Sequence, residues 1–205
     1  PEETLPAAGV EHAVVVLGSL RWLPCDDGAA PVTQDGPFVV DLAQGKVTPA
    51  LEPVEVPEGG FCELQAPLQP APRPAELAGR SLLLSGTRAD GVPFLVFASA
   101  EGTLKLHARN DVPWDESLSH PVLWAMRPRR WLGRSELSGV PPIVLADGRS
   151  MVVIDADRHP LLFTTLLSRI AGRSSLHLDA NDNGTLDDTE RLGEDWIGVG
   201  LSDIE

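Results

Sequence analysis

Tyrosine is absent from this chain of 205 residues, which removes a common partner from sugar-stacking surfaces and leaves any aromatic platform to the five tryptophans. Cysteine is limited to Cys25 and Cys62. Without a C-x-x-C spacing these two can build neither a zinc knuckle nor a thioredoxin-like redox motif. No apolar run approaches the ~18 residues that a membrane helix needs; the nearest are Val14-Val15-Val16-Leu17 and Ser81-Leu82-Leu83-Leu84. Basic side chains are short in number, 16 against 30 acidic, for a formal charge of −14. That balance repels phosphate backbones and anionic lipid surfaces, so nucleic acid is not expected as a partner, while the shortness of the apolar runs predicts no transmembrane segment. H-E-x-x-H, G-x-S-x-G, a Walker loop, G-x-G-x-x-G and a Cys with a partnering His are all missing, which removes the compact catalytic signatures. No repeat of 20–50 residues is evident.

The chain opens Pro1-Glu2-Glu3-Thr4 with neither Met nor a basic-then-apolar leader. That start is expected of a processed product whose address has been removed, and it leaves room for a lipid anchor on preceding residues.

What the sequence does hold is punctuation. Nineteen Gly and 19 Pro favour short strands and many turns, in a chain long enough to bury a hydrophobic core. Segments 12–22, 38–42, 47–56, 60–66, 80–87, 92–98 and 102–108 read as strands of an antiparallel sandwich or barrel. Asp90-Gly91 joins two of them as a tight hairpin, and the proline-rich stretch 67–74 reads as an extended connector between sheets. Helical patterns begin only after Trp114. A short helix is expected over 128–137, with Trp131, Leu132 and Leu137 on one face. A stronger one spans 159–171, where Leu161, Leu162, Phe163, Leu166, Leu167 and Ile170 form an apolar stripe, Asp157 is the expected cap and Gly172 the stop. Between them Asp147-Gly148 marks a second hairpin. The fold class is therefore mainly β with α additions: an antiparallel β-sandwich followed by an α/β segment. The expected division is a flexible N-terminal segment at 1–11, a sandwich at 12–118 and the α/β segment at 119–205, packed as one unit.

Cys25 and Cys62 both sit on or beside strand-like segments, and their pairing as a structural disulfide is the first reading. Closing that loop restricts the unfolded chain by roughly 4 kcal/mol on the entropic account. The alternative is two buried thiols in a reducing compartment. A bond would make the compartment oxidising.

The sharpest motif is Asp179-Ala180-Asn181-Asp182-Asn183-Gly184-Thr185-Leu186-Asp187-Asp188-Thr189-Glu190. It resembles an EF-hand calcium loop at every diagnostic position of the twelve. The resemblance implies side-chain oxygens from Asp179, Asn181 and Asn183, the carbonyl of Thr185, a direct or water-mediated contact from Asp187, and two oxygens from Glu190. Gly184 stands where the loop bends with positive φ, and Leu186 is the apolar anchor. The flanks depart from the family: 175–178 looks like a strand rather than a helix, and the exiting segment meets Gly193 within two turns. The loop is in this respect similar to those of secreted bacterial modules, dockerin-like ones among them. With two neutral Asn ligands and no second loop to couple with, affinity on the order of 10⁻⁴–10⁻³ M is expected, the range of permanently filled extracellular sites. The competing reading is an Asx-rich surface turn.

Other candidates are weaker. Asp155, Asp157 and His159 alternate like metal ligands, although a strand end and a helix cap are sufficient work for the two acids. His177 is expected to make a solvent or polar contact. Arg127, Arg129, Arg130 and Arg134 gather around Trp131, which suits an anion or partner site; the plainer reading is a helix whose arginines neutralise acids such as Glu136.

Taken with Leu20-Arg21-Trp22-Leu23-Pro24-Cys25, Pro57-Glu58-Gly59-Gly60-Phe61-Cys62 and Ile154-Asp155-Ala156-Asp157-Arg158-His159-Pro160, the loop makes the chain similar to uncharacterised bacterial surface lipoproteins. These carry transthyretin-like or carbohydrate-binding-like β-sandwiches. The resemblance implies an exported, non-catalytic module at a cell surface, in the periplasm or secreted, with calcium as a structural ion and a protein or glycan as partner. A carbohydrate-binding module, and after it a hydrolase, are the alternatives.

Overall fold

The computed structural model describes residues 8–26, 28–71, 77–99, 101–109, 112–115, 121–186, 188, 190 and 196–201. The fold is mainly β with α additions, and two α-helices have defined bounds among the described residues. The strands are β1 (Ala8–Leu17), β2 (Leu20–Pro24), β3 (Val32–Gln34), β4 (Phe38–Asp41), β5 (Lys46–Thr48), β6 (Phe61–Leu68), β7 (Leu82–Arg88), β8 (Pro93–Ala98), β9 (Gly102–Ala108), β10 (Val122–Ala125), β11 (Ile143–Val144), β12 (Ser150–Ile154), β13 (Ser175–Leu178) and β14 (Trp196–Gly200). The helices are α1 (Arg134–Ser138) and α2 (Pro160–Gly172), with a 3-10 turn at Pro128–Arg130.

All the strands belong to one hydrogen-bonded system with a corner in it. One half runs β5-β4-β1-β7-β8-β12-β11 and the other β3-β2-β6-β9-β14-β13-β10. They meet at one register pair, Leu17 with Leu68, where Gly18 N–H donates to the Pro67 carbonyl at 2.7 Å and Gln69 N–H to the Val16 carbonyl at 3.1 Å. Period-two alternation turns Val15, Leu84 and Val96 of the first half and Leu64, Leu104 and Leu106 of the second into a single hydrophobic cluster, as expected of half-buried strands. The β12–β8 pair is parallel, unlike the other strand pairs, because the chain returns to β8 through a long crossover. The segment after residue 119 is woven into both halves, β12 beside β8 and β14 beside β9.

Several expectations need correction. Residues 8–11, read as part of a flexible segment, open β1, where Ala8, Gly9 and Val10 pair with β7 and the register shifts past Glu11; 1–7 lie outside the described residues. Segment 12–22 is two strands, split at Gly18 and Ser19 where the sheet turns its corner. Segment 47–56 is strand only to Thr48, since Pro49 and Pro53 cannot donate to a ladder. The 128–137 helix breaks at Gly133, whose N–H donates to Glu136 Oε2 at 2.6 Å and so starts α1 afresh, as in one arm of a capping box.

In α2 the buried stripe is Phe163, Leu166, Ile170 and Ala171. Leu161 does not belong to it and is 85% exposed. Nor does Asp157 cap this helix. The N-cap residue is His159, with no side-chain cap bond, and Pro160 at the first position needs no N–H acceptor. The β7–β8 hairpin turns at Asp90-Gly91 as the sequence implied, Gly91 N–H donating to the Arg88 carbonyl at 3.0 Å. The second hairpin joins β11 to β12.

Candidate metal centre

Strand β13 delivers the chain straight into the twelve-residue loop, so the incoming flank is a strand, as expected. Asp179 is buried at 2% exposure and organises the turn: Oδ1 accepts the Asn183 N–H at 3.0 Å and Oδ2 the Gly184 N–H at 2.7 Å. Asn181 Oδ1 accepts the same Asn183 N–H at 3.1 Å, and Asn183 Oδ1 accepts the Thr185 N–H at 2.6 Å. Oxygens from three alternate residues therefore converge on one stretch of backbone. Gly184 has φ 71° with open space where a Cβ would stand, a conformation that favours glycine.

At the far end Glu190 is buried at 1% exposure. Its backbone carbonyl lies 3.2 Å from His177 Nδ1. A carbonyl only accepts, so Nδ1 carries the proton and Nε2, 2.8 Å from Ser175 Oγ, is left to accept from that hydroxyl. His177 is itself buried at 1% exposure, a polar contact rather than a solvated one, and its ring stacks on Trp196. The Ser175–His177 pair lies under this cover, as a structural link. Leu186 is half-buried. Asp187 lies outside the described residues, and among the described residues no group of three or more His, Cys, Asp or Glu side chains is gathered at metal-binding range. The expected ligand set draws only Asp179 and Glu190 from that class within the described residues; the others are Asn and a carbonyl.

The remaining candidates do not assemble. Asp155 Oδ1 accepts the Arg158 N–H at 2.8 Å and Oδ2 lies 3.6 Å from Arg158 Nε, so it closes the turn before α2, while Asp157 is exposed. His159 lies instead in a shallow cleft of ≈ 450 Å³ lined also by Glu136, Val140, Pro160, Leu161 and Leu162, and its buried Nδ1 has no hydrogen-bond partner. Trp131 is completely buried, which removes it from any surface it would share with Arg129 and Arg130, both exposed. Arg127 is half-buried, and the Arg134 side chain lies outside the described residues. Glu136 pairs with Arg169 of α2.

None of the five tryptophans is exposed: Trp114 and Trp131 are buried and Trp22, Trp124 and Trp196 half-buried. Trp22 packs edge-on to Trp114 at 6.1 Å, and Trp114 Nε1 donates to the Ile197 carbonyl at 2.9 Å. The row of open indoles that a sugar platform needs is not formed.

Cys25 and Cys62 are bonded, with S–S 2.06 Å and Cα atoms 4.9 Å apart, tying the residue that follows β2 to the partner strand β6. A bond of this kind belongs to an oxidising, extracytoplasmic setting. Among the described residues no helix is long and apolar enough to cross a membrane.

Set against protein-family models, curated proteins and solved structures, the chain matches none of them.

Proposed function

We propose that this chain is a non-catalytic, extracytoplasmic calcium-binding β-sandwich module of a bacterial surface or periplasmic lipoprotein type, working in binding or adhesion, with calcium as a structural ion. The observation that carries the reading is the pair of buried carboxylates, Asp179 and Glu190, at the first and last positions of a loop whose intervening oxygens converge on one turn. Buried carboxylates call for positive charge or donors around them, and a hard cation bound by oxygens supplies the former. Asp179, Asn181, Asn183, the Thr185 carbonyl, Asp187 and Glu190 would hold it. The ion would tie β13 to the segment that leads into β14.

The disulfide supports the location, since both it and a weak, permanently filled calcium site suit a compartment that is oxidising and calcium-rich. Calorimetric titration with calcium and melting in calcium against a chelator test the proposal. At about ten times Kd the expected gain is about 1.4 kcal/mol, a rise in Tm of roughly 3–6 °C. No binding heat and an unchanged Tm would overturn it.

A further inference from the structure

Strand β14, Trp196-Ile197-Gly198-Val199-Gly200, lies inside its half of the sheet, between β9 and β13, yet two of its residues are glycine. Glycine gives up the most backbone freedom on ordering and offers no side chain to pack, so it weakens a strand interior. Close approach demands it at both places. A Cβ on Gly198 would stand 2.9 Å from Cζ2 of Trp114, and one on Gly200 would collide with the carbonyl of Ala171 at the end of α2. With so little intrinsic preference, this strand depends on whatever holds its two ends.

The C-terminal end is held by backbone: Gly200 N–H donates to the Ser174 carbonyl and Leu201 N–H to the Lys105 carbonyl, each at 2.9 Å. At the other end Trp196 carries the Arg109 guanidinium at 4.8 Å and stacks on His177 at 6.4 Å between centroids with planes 16° apart. His177 in turn is fastened to the carbonyl of Glu190, and the β13–β14 register shifts between Leu176 and His177.

We infer that calcium controls the seating of β14: the ion fixes Glu190, the Glu190 carbonyl fixes the His177 ring, and that ring is the platform on which Trp196 enters the sheet in register. This rests on the calcium reading above. The calcium-loaded form has a continuous half-sheet from β3 to β10. In the calcium-free form β14 opens between β9 and β13, while the β7–β8 region stays closed.

Amide hydrogen exchange on the full chain, in calcium chloride and in chelator, tests the inference. Chelation is expected to speed exchange at Gly200 and Leu201 by about tenfold or more while Leu84 and Val96, in the other half, change by less than about twofold. Uniform acceleration of all four would mean that the ion acts only through global stability and would overturn the inference. So would unchanged exchange at Gly200 and Leu201 in protein that calorimetry shows to bind calcium. No binding heat would instead remove the calcium reading itself. His177→Gln is the second variant. It is expected to bind calcium yet exchange Gly200 and Leu201 as fast as the wild type in chelator; full protection in that variant would overturn the route through His177.

Discussion

Arg169 of α2 meets Glu136 of α1 through both carboxylate oxygens, Nη1 to Oε2 at 2.6 Å and Nη2 to Oε1 at 2.7 Å. Nη1 also donates to the Trp131 carbonyl at 3.3 Å, so one guanidinium gathers the broken helical segment onto the long helix. Burial opposes ionisation of Glu136, but hydrogen bonds from Arg169 and from the Gly133 N–H outweigh it and hold the carboxyl below its ordinary range. A depressed folded pKa contributes stability above the unfolded value, near 4.3 for Glu, and that contribution fades as pH falls through the folded one. Glu136→Gln is expected to cost about 1–2 kcal/mol at pH 7. Urea melts repeated at pH 3 should show the gap between variant and wild type narrowing.

The loop's own residues can be separated by what they contribute. Glu190→Gln removes the charged end of the proposed site, and calorimetry should find calcium affinity lowered by about tenfold or more. Gly184→Ala leaves every ligand in place but imposes a positive φ on alanine, at a cost of roughly 1 kcal/mol. Weaker calcium binding than wild type, with all six ligands intact, is the expected readout.

Replacing both cysteines, Cys25→Ser with Cys62→Ser, opens a loop of 37 residues in sequence separation. A loss of up to about 4 kcal/mol is expected from the restored freedom of the unfolded chain. Denaturant midpoints of the double variant and of wild type under reducing conditions should coincide.

Leu161 and Leu166 share one stripe in the sequence and have different fates in the fold. Leu166 is fully buried and Leu161 is 85% exposed. Leu166→Ala is expected to cost about 2–5 kcal/mol, and Leu161→Ala no more than about 0.5 kcal/mol. Parallel thermal melts of the two variants decide this.

That contrast shows where the reach of local pattern ends. Short apolar segments bounded by Gly, Pro and Asp marked β6, β7, β8 and β9, and the structure buries alternate residues along each of them. The Asp-Gly turns were equally legible, since they need only local conformational freedom. Segment 47–56 misled because its β-branched and apolar residues suggest a strand while Pro49 and Pro53 deny the ladder its donors. The arginines around Trp131 read as a surface cluster because sequence carries no sign of depth, and the indole at their centre is in the core. His177 looked like a lone polar residue on a strand. Its bond to Glu190 spans thirteen residues, and its stack on Trp196 depends on pairing between strands.

Composition and short-range order thus decided that this chain would be β-rich, acidic and punctuated by turns, and placed six oxygen donors at the spacing of one loop, because each of those properties is set within a few residues of backbone. Only the tertiary structure decided that the sheet turns at Leu17 and Leu68 and that a glycine-bearing strand is held beside the loop. Those outcomes depend on which surfaces bury one another across the whole chain, and no window of sequence contains both partners.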